Sequence, residues 1–271
     1  MLGIFVGNLC TGISIGWWKS THNTHHAATN SLDWDPDIQH APLLVVDKKY
    51  LRDDGIYSEF HKRTMTVTPF WRKVIQYQHI YFYPLMMVAR FNLYFQSFYF
   101  VLKKQDNIME LVALCCYNAG LIYMASSKGS MYNGILWLLL SHALAGILHV
   151  QIALSHFFMQ SYDGAIHKDT PERECFLRTQ IATTTDLHVP EWSSWFHGGL
   201  HLQTTHHIFP RIPRDKLLKA RSLVLKLCEK NNIQYNSMGW YEANRALVSA
   251  LKENGLRGNS SIVSGGLSAA G

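Results

Sequence analysis

The sequence predicts an all-α integral membrane fold: a helical hairpin in the bilayer, capped on its cytosolic side by helices that carry clustered histidines. Three observations predict it. Two long runs, Leu111–Ser127 and Met131–Leu154, contain no Asp, Glu, Lys or Arg. Charged residues are only 16% of the 271, against roughly 25% in ordinary soluble chains. The 15 histidines fall largely into spaced groups. The mean hydropathy of −0.05 averages over apolar and polar segments and hides this segregation.

Met1–Trp18 carries no charge and is punctuated by Gly3, Gly7, Gly12 and Gly16. It has no basic lead-in, so it does not read as a secretory signal. It reads as the end of a membrane segment or as a close-packed interfacial helix. Residues 17–73 are polar and loop-rich, with Trp34-Asp35-Pro36-Asp37 as a turn signal. Residues 74–102 are apolar and crowded with Tyr and Phe, but Pro84, Arg90 and Asn92 interrupt them. Such aromatic density suits the headgroup level, so this segment is expected along the interface rather than across the bilayer. Residues 108–126 and 131–155 form the expected hairpin, since each run has the length of a spanning helix. Lys103 and Lys104 precede it and Lys128 alone sits in its turn. The positive-inside rule therefore places the flanking parts in the cytosol. Arg214–Asn231 is expected to form an amphipathic helix through Leu217, Leu218, Leu225 and Leu227. Trp240–Asn254 is expected to form another helix. Residues 1–255 read as one domain and 256–271 as a Gly/Ser-rich disordered tail.

The net charge of +6 fits an anionic membrane face. No Lys/Arg cluster with interleaved aromatics marks a nucleic-acid partner. The five cysteines, Cys10, Cys115, Cys116, Cys175 and Cys228, form no C-x-x-C pair. They read as free, small, buried hydrophobes.

The histidines carry the chemistry. His22, His25 and His26 form an H-x-x-H-H array; Gln203, His206 and His207 form Q-x-x-H-H. On a helix, residues three and four apart share a face, so each array converges on a point. Imidazole suits iron, copper, zinc and nickel, and two facing arrays can build a dinuclear site. Both arrays reach the same side only if an even number of spans separates them, which the hairpin provides. His142, His149 and His156 follow at intervals of about two turns. His156 falls at the cytosolic end of its span and is expected to be a ligand. His149 lies about 10 Å deeper and is expected to support a ligand or substrate through a hydrogen bond. His142 is expected to make an interhelical polar contact.

The stretch 17–40, WWKSTHNTHHAATNSLDWDPDIQH, resembles the second histidine box of membrane front-end desaturases. The stretch 195–214, WFHGGLHLQTTHHIFPRIPR, resembles their third, with Gln in place of its first His. The segment 153–157, ALSHF, is similar to the one that supplies a further ligand between them. Together with ATTTDLHVPEW at 182–192, the wording resembles fungal sphingolipid Δ8-desaturases most, then acyl Δ6-desaturases. The resemblance runs from residue 1 to about 255.

It implies a membrane desaturase-like fold and two iron ions held by His22, His25, His26, His156, His206 and His207, with Gln203 and His149 as further ligands or their supports. It also implies electrons from the heme of cytochrome b5 and its reductase, and a long-chain-base or acyl lipid substrate at the endoplasmic reticulum. Trp17, Trp18, Trp195 and Phe196 are candidates to line the lipid tunnel. The family's first box, His-Asp-x-x-His, has no counterpart, since the sequence contains no His-Asp pair. The upstream membrane pair and the fused cytochrome b5 domain are likewise not in the sequence. The chain thus reads as the C-terminal part of such an enzyme, short of about two iron ligands. Hydroxylation on the same scaffold, and a degenerate lipid-binding membrane protein, remain the alternatives.

Overall fold

The computed structural model describes residues 1–104, 107–164 and 176–267, with side chains as far as Leu256. Cys175, and the end of the expected tail at 268–271, lie outside the described residues. Helix dominates, as expected, and four three-residue strands join it. The helices are α1 (Ile15–Ala27), α2 (Pro69–Ile75), α3 (Gln78–Lys104), α4 (Ile108–Ser126), α5 (Met131–Ala143), α6 (Ala145–Ala153), α7 (Phe176–Thr183), α8 (Ser194–His197), α9 (Gln203–Ile208), α10 (Leu217–Lys230) and α11 (Trp240–Leu267). A π-helical turn, Ile4–Leu9, precedes them. Strands β1 (Ile56–Ser58) and β2 (Arg63–Met65) pair antiparallel. Strands β3 (Asp186–His188) and β4 (Ser237–Gly239) pair in parallel, with Asp186 opposite Ser237. The chain divides into two units: residues 1–23 with 82–150, and residues 24–81 with 151–271.

Among the described residues, three helical segments are long and apolar enough to cross a membrane: Gln78–Lys104, Ile108–Ser126 and Met131–Ala153. Two match the expected hairpin. The third covers most of residues 74–102, where Pro84, Arg90 and Asn92 do not break α3. Pro84 is the seventh residue of the helix, so it removes the bond to the Ile80 carbonyl, yet the helix continues past it. Arg90 finds oxygen partners, donating from Nη2 to the Thr11 carbonyl at 2.5 Å and from Nε to the Tyr94 hydroxyl at 3.4 Å.

The hairpin's second arm is divided at Leu144. Just before that break, Ser141 Oγ and His142 Nδ1 both donate to the Leu138 carbonyl, at 3.0 and 2.8 Å. Side-chain bonds of this kind compete with the helical ladder. With its Nδ1–H committed there, His142 accepts at Nε2 from the Tyr94 hydroxyl at 3.1 Å. This is the interhelical contact expected of His142.

Glu110 anchors the N-terminal stretch to the start of α4. Its carboxylate is buried and accepts from Ser14 Oγ (2.5 Å), Asn8 Nδ2 (3.0 Å) and the Gly16 N–H (3.3 Å). Trp17 packs into the core of the first unit beside Ile13 and Tyr94.

The second unit builds its core from Leu32, Ile38, Val45, Tyr50, Ile75, Leu247 and Leu251, all buried. Gln78 ties three elements together through the Val45 N–H (2.9 Å), the Val45 carbonyl (3.0 Å) and the Leu251 carbonyl (2.7 Å). The amphipathic helix α10 forms where expected, but its buried face is Leu217, Ala220, Val224 and Cys228. Leu218 and Leu227 are exposed. The four buried residues follow i, i+3, i+7, i+11 spacing, and Val224 and Cys228 pack against Ile181. Among the described residues all cysteines are free, as expected, yet only Cys228 is buried; Cys10, Cys115 and Cys116 are exposed.

Candidate metal centre

Helix α1 places His25 and His26 in its last turn, with His22 one turn earlier on the same helix. The single-turn helix α9 places Gln203, His206 and His207 together. His156 sits in the turn after α6, its N–H bonded to the Ala153 carbonyl at 3.2 Å. Within the second unit these pieces close on one another. His25, His156 and His207 form a triangle with ring centroids 4.8 Å apart on every side. Their ligand atoms all lie within 4.8 Å of one another and all three residues are buried. His26 stacks on His207 at 4.2 Å and meets His206 edge-on at 4.7 Å. Gln203 is buried at the start of α9. His22 lies four residues before His26, and Trp18 stacks on its ring at 4.5 Å.

The surrounding residues fix the rings. Asp35 is fully buried and its carboxylate accepts from His25 Nδ1 at 2.9 and 3.0 Å. It also accepts from the main-chain N–H of Asn30 (2.7 Å) and of Asp37 (2.9 Å). The Asp35 bond commits Nδ1–H of His25 and turns Nε2 toward the cluster, the arrangement common in metal-binding histidines. His207 Nδ1 lies 3.0 Å from Gln180 Oε1 and 3.1 Å from Thr29 Oγ1. Asp186 on β3 holds the start of α9, accepting from the Thr204 N–H (3.0 Å), Arg221 Nε (2.9 Å) and the Tyr235 hydroxyl (2.6 Å).

Electrostatics divides the rings. Burial, reinforced by the neighbouring histidines, holds His207 well below the usual imidazole value. Burial, then Arg214 and His25, lower His206 to about 4. Both rings are therefore neutral and able to ligate near pH 7. Burial also pushes His25 down, but the carboxylates of Asp35 and Asp37 outweigh it and leave His25 raised to about 9. A buried set of imidazoles, with one ring backed by a carboxylate, fits a divalent first-row metal such as iron.

The remaining candidates are not gathered in this way. His149 donates from Nδ1 to the Met86 carbonyl at 3.2 Å, within the first unit. Trp18, Trp195 and Phe196 are exposed and Trp17 is buried in its unit's core. Sequence reasoning missed Asp35, Gln180, Thr29 and Asp186. Asp35 carried a signal, since a carboxylate shortly after an H-x-x-H-H array can reach back to a ring. Gln180 carried none.

The fatty acid desaturase family model matches residues 1–239. A "Delta(8)-fatty-acid desaturase" of Helianthus annuus is 37% identical over 258 residues, 94% of this chain and 55% of the relative. An "Acyl-lipid (9-3)-desaturase" of Borago officinalis is 36% identical over 259 residues, covering 94% and 56%. A "Delta 8-(E)-sphingolipid desaturase" of Kluyveromyces lactis is 36% identical over 264 residues, covering 93% and 45%. The chain spans about half the length of the curated relatives it matches. No solved structure matches it.

Proposed function

The chain belongs to the fatty acid desaturase family, and on that premise we propose that it carries the metal-binding part of a membrane lipid desaturase. The reaction is removal of two hydrogens from a methylene pair in a sphingolipid long-chain base or a fatty acyl chain. One observation carries this reading: His25, His156 and His207, drawn from three distant parts of the sequence, meet with their ligand atoms within 4.8 Å.

Side-chain acids and bases cannot cleave an unactivated C–H bond, so the reaction needs a redox group. Two iron ions would supply it by activating dioxygen, with electrons from cytochrome b5 and its reductase. His22, His25, His26, His156, His206 and His207 would hold the metal, with Gln203 at the edge of the set. The protein's own part is to keep these rings oriented and out of bulk water, with His206 and His207 neutral. Asp35 and Gln180 orient, and burial excludes water. The hairpin of Ile108–Ser126 and Met131–Ala153 would cross the endoplasmic reticulum membrane beside its substrate, with Gln78–Lys104 along the interface, so that both histidine arrays share the cytosolic face.

The test is expression of this chain in a desaturase-deficient yeast, reading lipid double bonds by mass spectrometry and iron content on the purified protein. Bound iron is the expected result for this chain, with new double bonds once it is joined to the preceding segment of a relative, and both should vanish in His207→Ala. A wild-type chain that binds no iron would overturn the reading.

A further inference from the structure

We propose that Gln180 is a positioning residue that fixes the tautomer and ring orientation of His207 and locks the two histidine-bearing helices, α1 and α9, to each other. The proposal rests on the metal-binding reading above for its purpose, but not for its geometry.

Gln180 lies on α7 and is fully buried. Its amide reaches both helices at once. Nε2 donates to the main-chain carbonyl of His26 at 3.1 Å, on α1. Oε1 lies 3.0 Å from Nδ1 of His207, on α9, and accepts from Thr29 Oγ1 at 2.9 Å. These partners leave the amide one orientation. A carbonyl oxygen can only accept, so the NH2 end must face His26 and the oxygen must face His207. An amide oxygen can only accept in turn, so Nδ1 of His207 must carry the proton. Nε2 of His207 is then the bare lone pair, and it is the nitrogen left to serve as a ligand atom in the triangle with His25 and His156.

The site thus orients its two central rings by different chemistry. Asp35 holds His25 through a carboxylate at 2.9 Å, whereas His207 is held by a neutral amide. A carboxylate at His207 would add a further acid to a buried cluster that already has Asp35 and Asp37 beside His25. The amide supplies the same directional bond without that charge, and its donor end adds a link to α1 that no carboxylate can make.

The experiment uses the full chain in nanodiscs. Gln180→Met keeps the side-chain length but removes both bonds, and Gln180→Glu keeps an acceptor toward His207. The first readout needs no metal: 15N NMR of the histidine-labelled protein, with the His207 signals identified by their loss in His207→Ala. Wild type should show the Nδ1–H form, Gln180→Met a mixture of tautomers, and Gln180→Glu the Nδ1–H form again. The second readout is titration with Co2+, followed by its visible absorption. Gln180→Met should bind about 10–100-fold more weakly, the usual cost of losing such a support, with a shifted spectrum. Gln180→Glu should recover most of that loss.

A wild-type tautomer and Co2+ affinity in Gln180→Met would overturn the proposal. Equal impairment of the tautomer in both variants would overturn it too, since a merely structural role predicts no rescue by an acceptor. Failure of wild type to bind Co2+, with the tautomers shifting as expected, would sink the metal reading and leave the positioning role standing.

Discussion

Replacing Asp35 with asparagine should change how many protons a metal displaces from this protein. In the wild type His25 is raised from 6.5 to about 9. Near pH 7.5 it therefore carries a second proton, on Nε2, which a metal must displace. Binding at the His25–His156–His207 cluster should release about one proton, because His207 is held well below 6.5 and has none to give. Affinity should rise about tenfold per pH unit up to about pH 9 and then level off.

The sign follows for stability as well. A histidine whose folded value is raised contributes stability that is complete below its unfolded value and is lost as pH passes the folded one. From 6.5 to about 9, at roughly 1.4 kcal/mol per unit, the contribution is about 3 kcal/mol. It is present below pH 6.5 and gone above about 9. Asp35→Asn keeps the shape and removes the charge. Asp37 alone then opposes burial at His25, so proton release at pH 7.5 falls below the wild-type value and the pH dependence between 6.5 and 9 weakens. Calorimetric titration with Co2+ in two buffers of different ionisation enthalpy counts the protons. If Asp35→Asn released as many protons as wild type, the assignment of Asp35 as the group that charges His25 would be wrong.

His207→Ala should abolish metal binding, whereas His40→Ala should retain it, because the His40 ring packs on Phe157 at 5.7 Å and belongs to neither array; metal content of the purified variants decides. Glu110→Ala should destabilise the chain by about 2–4 kcal/mol, since it strips the acceptor from Ser14, Asn8 and Gly16 and leaves buried donors unpaired; thermal unfolding in detergent measures it, and an unchanged midpoint would refute the anchor. Gly146→Leu should cost about 1–3 kcal/mol by overpacking, because even a Cβ there would stand 2.9 Å from the Met87 Cα; the same unfolding assay checks it.

The parts of this protein that were legible in the sequence are those governed by local rules. The H-x-x-H-H spacing converges on one helix face wherever the helix forms. An uncharged run is long enough to cross a bilayer whatever it packs against. Where local rules compete, the sequence misleads. Pro84 and Arg90 look like breaks, yet α3 continues because the Thr11 carbonyl and the Tyr94 hydroxyl receive the guanidinium. In α10 Leu218 and Leu227 are exposed while Ala220 and Cys228 face inward with Leu217 and Val224, because the buried face is set by which side of the helix meets the core, Ile181 among it.

By itself, the sequence determined the helical class, the apolar segments, the two arrays and the helix periodicity that makes each array converge. Only the tertiary structure decided which histidines meet, and what stands behind them. His25 finds its carboxylate 10 residues away, but Gln180 and His26 are 154 residues apart, and no periodicity relates positions that distant. Tertiary packing brings them together, and in the buried setting the amide is satisfied by the His26 carbonyl on one side and the His207 imidazole N–H on the other.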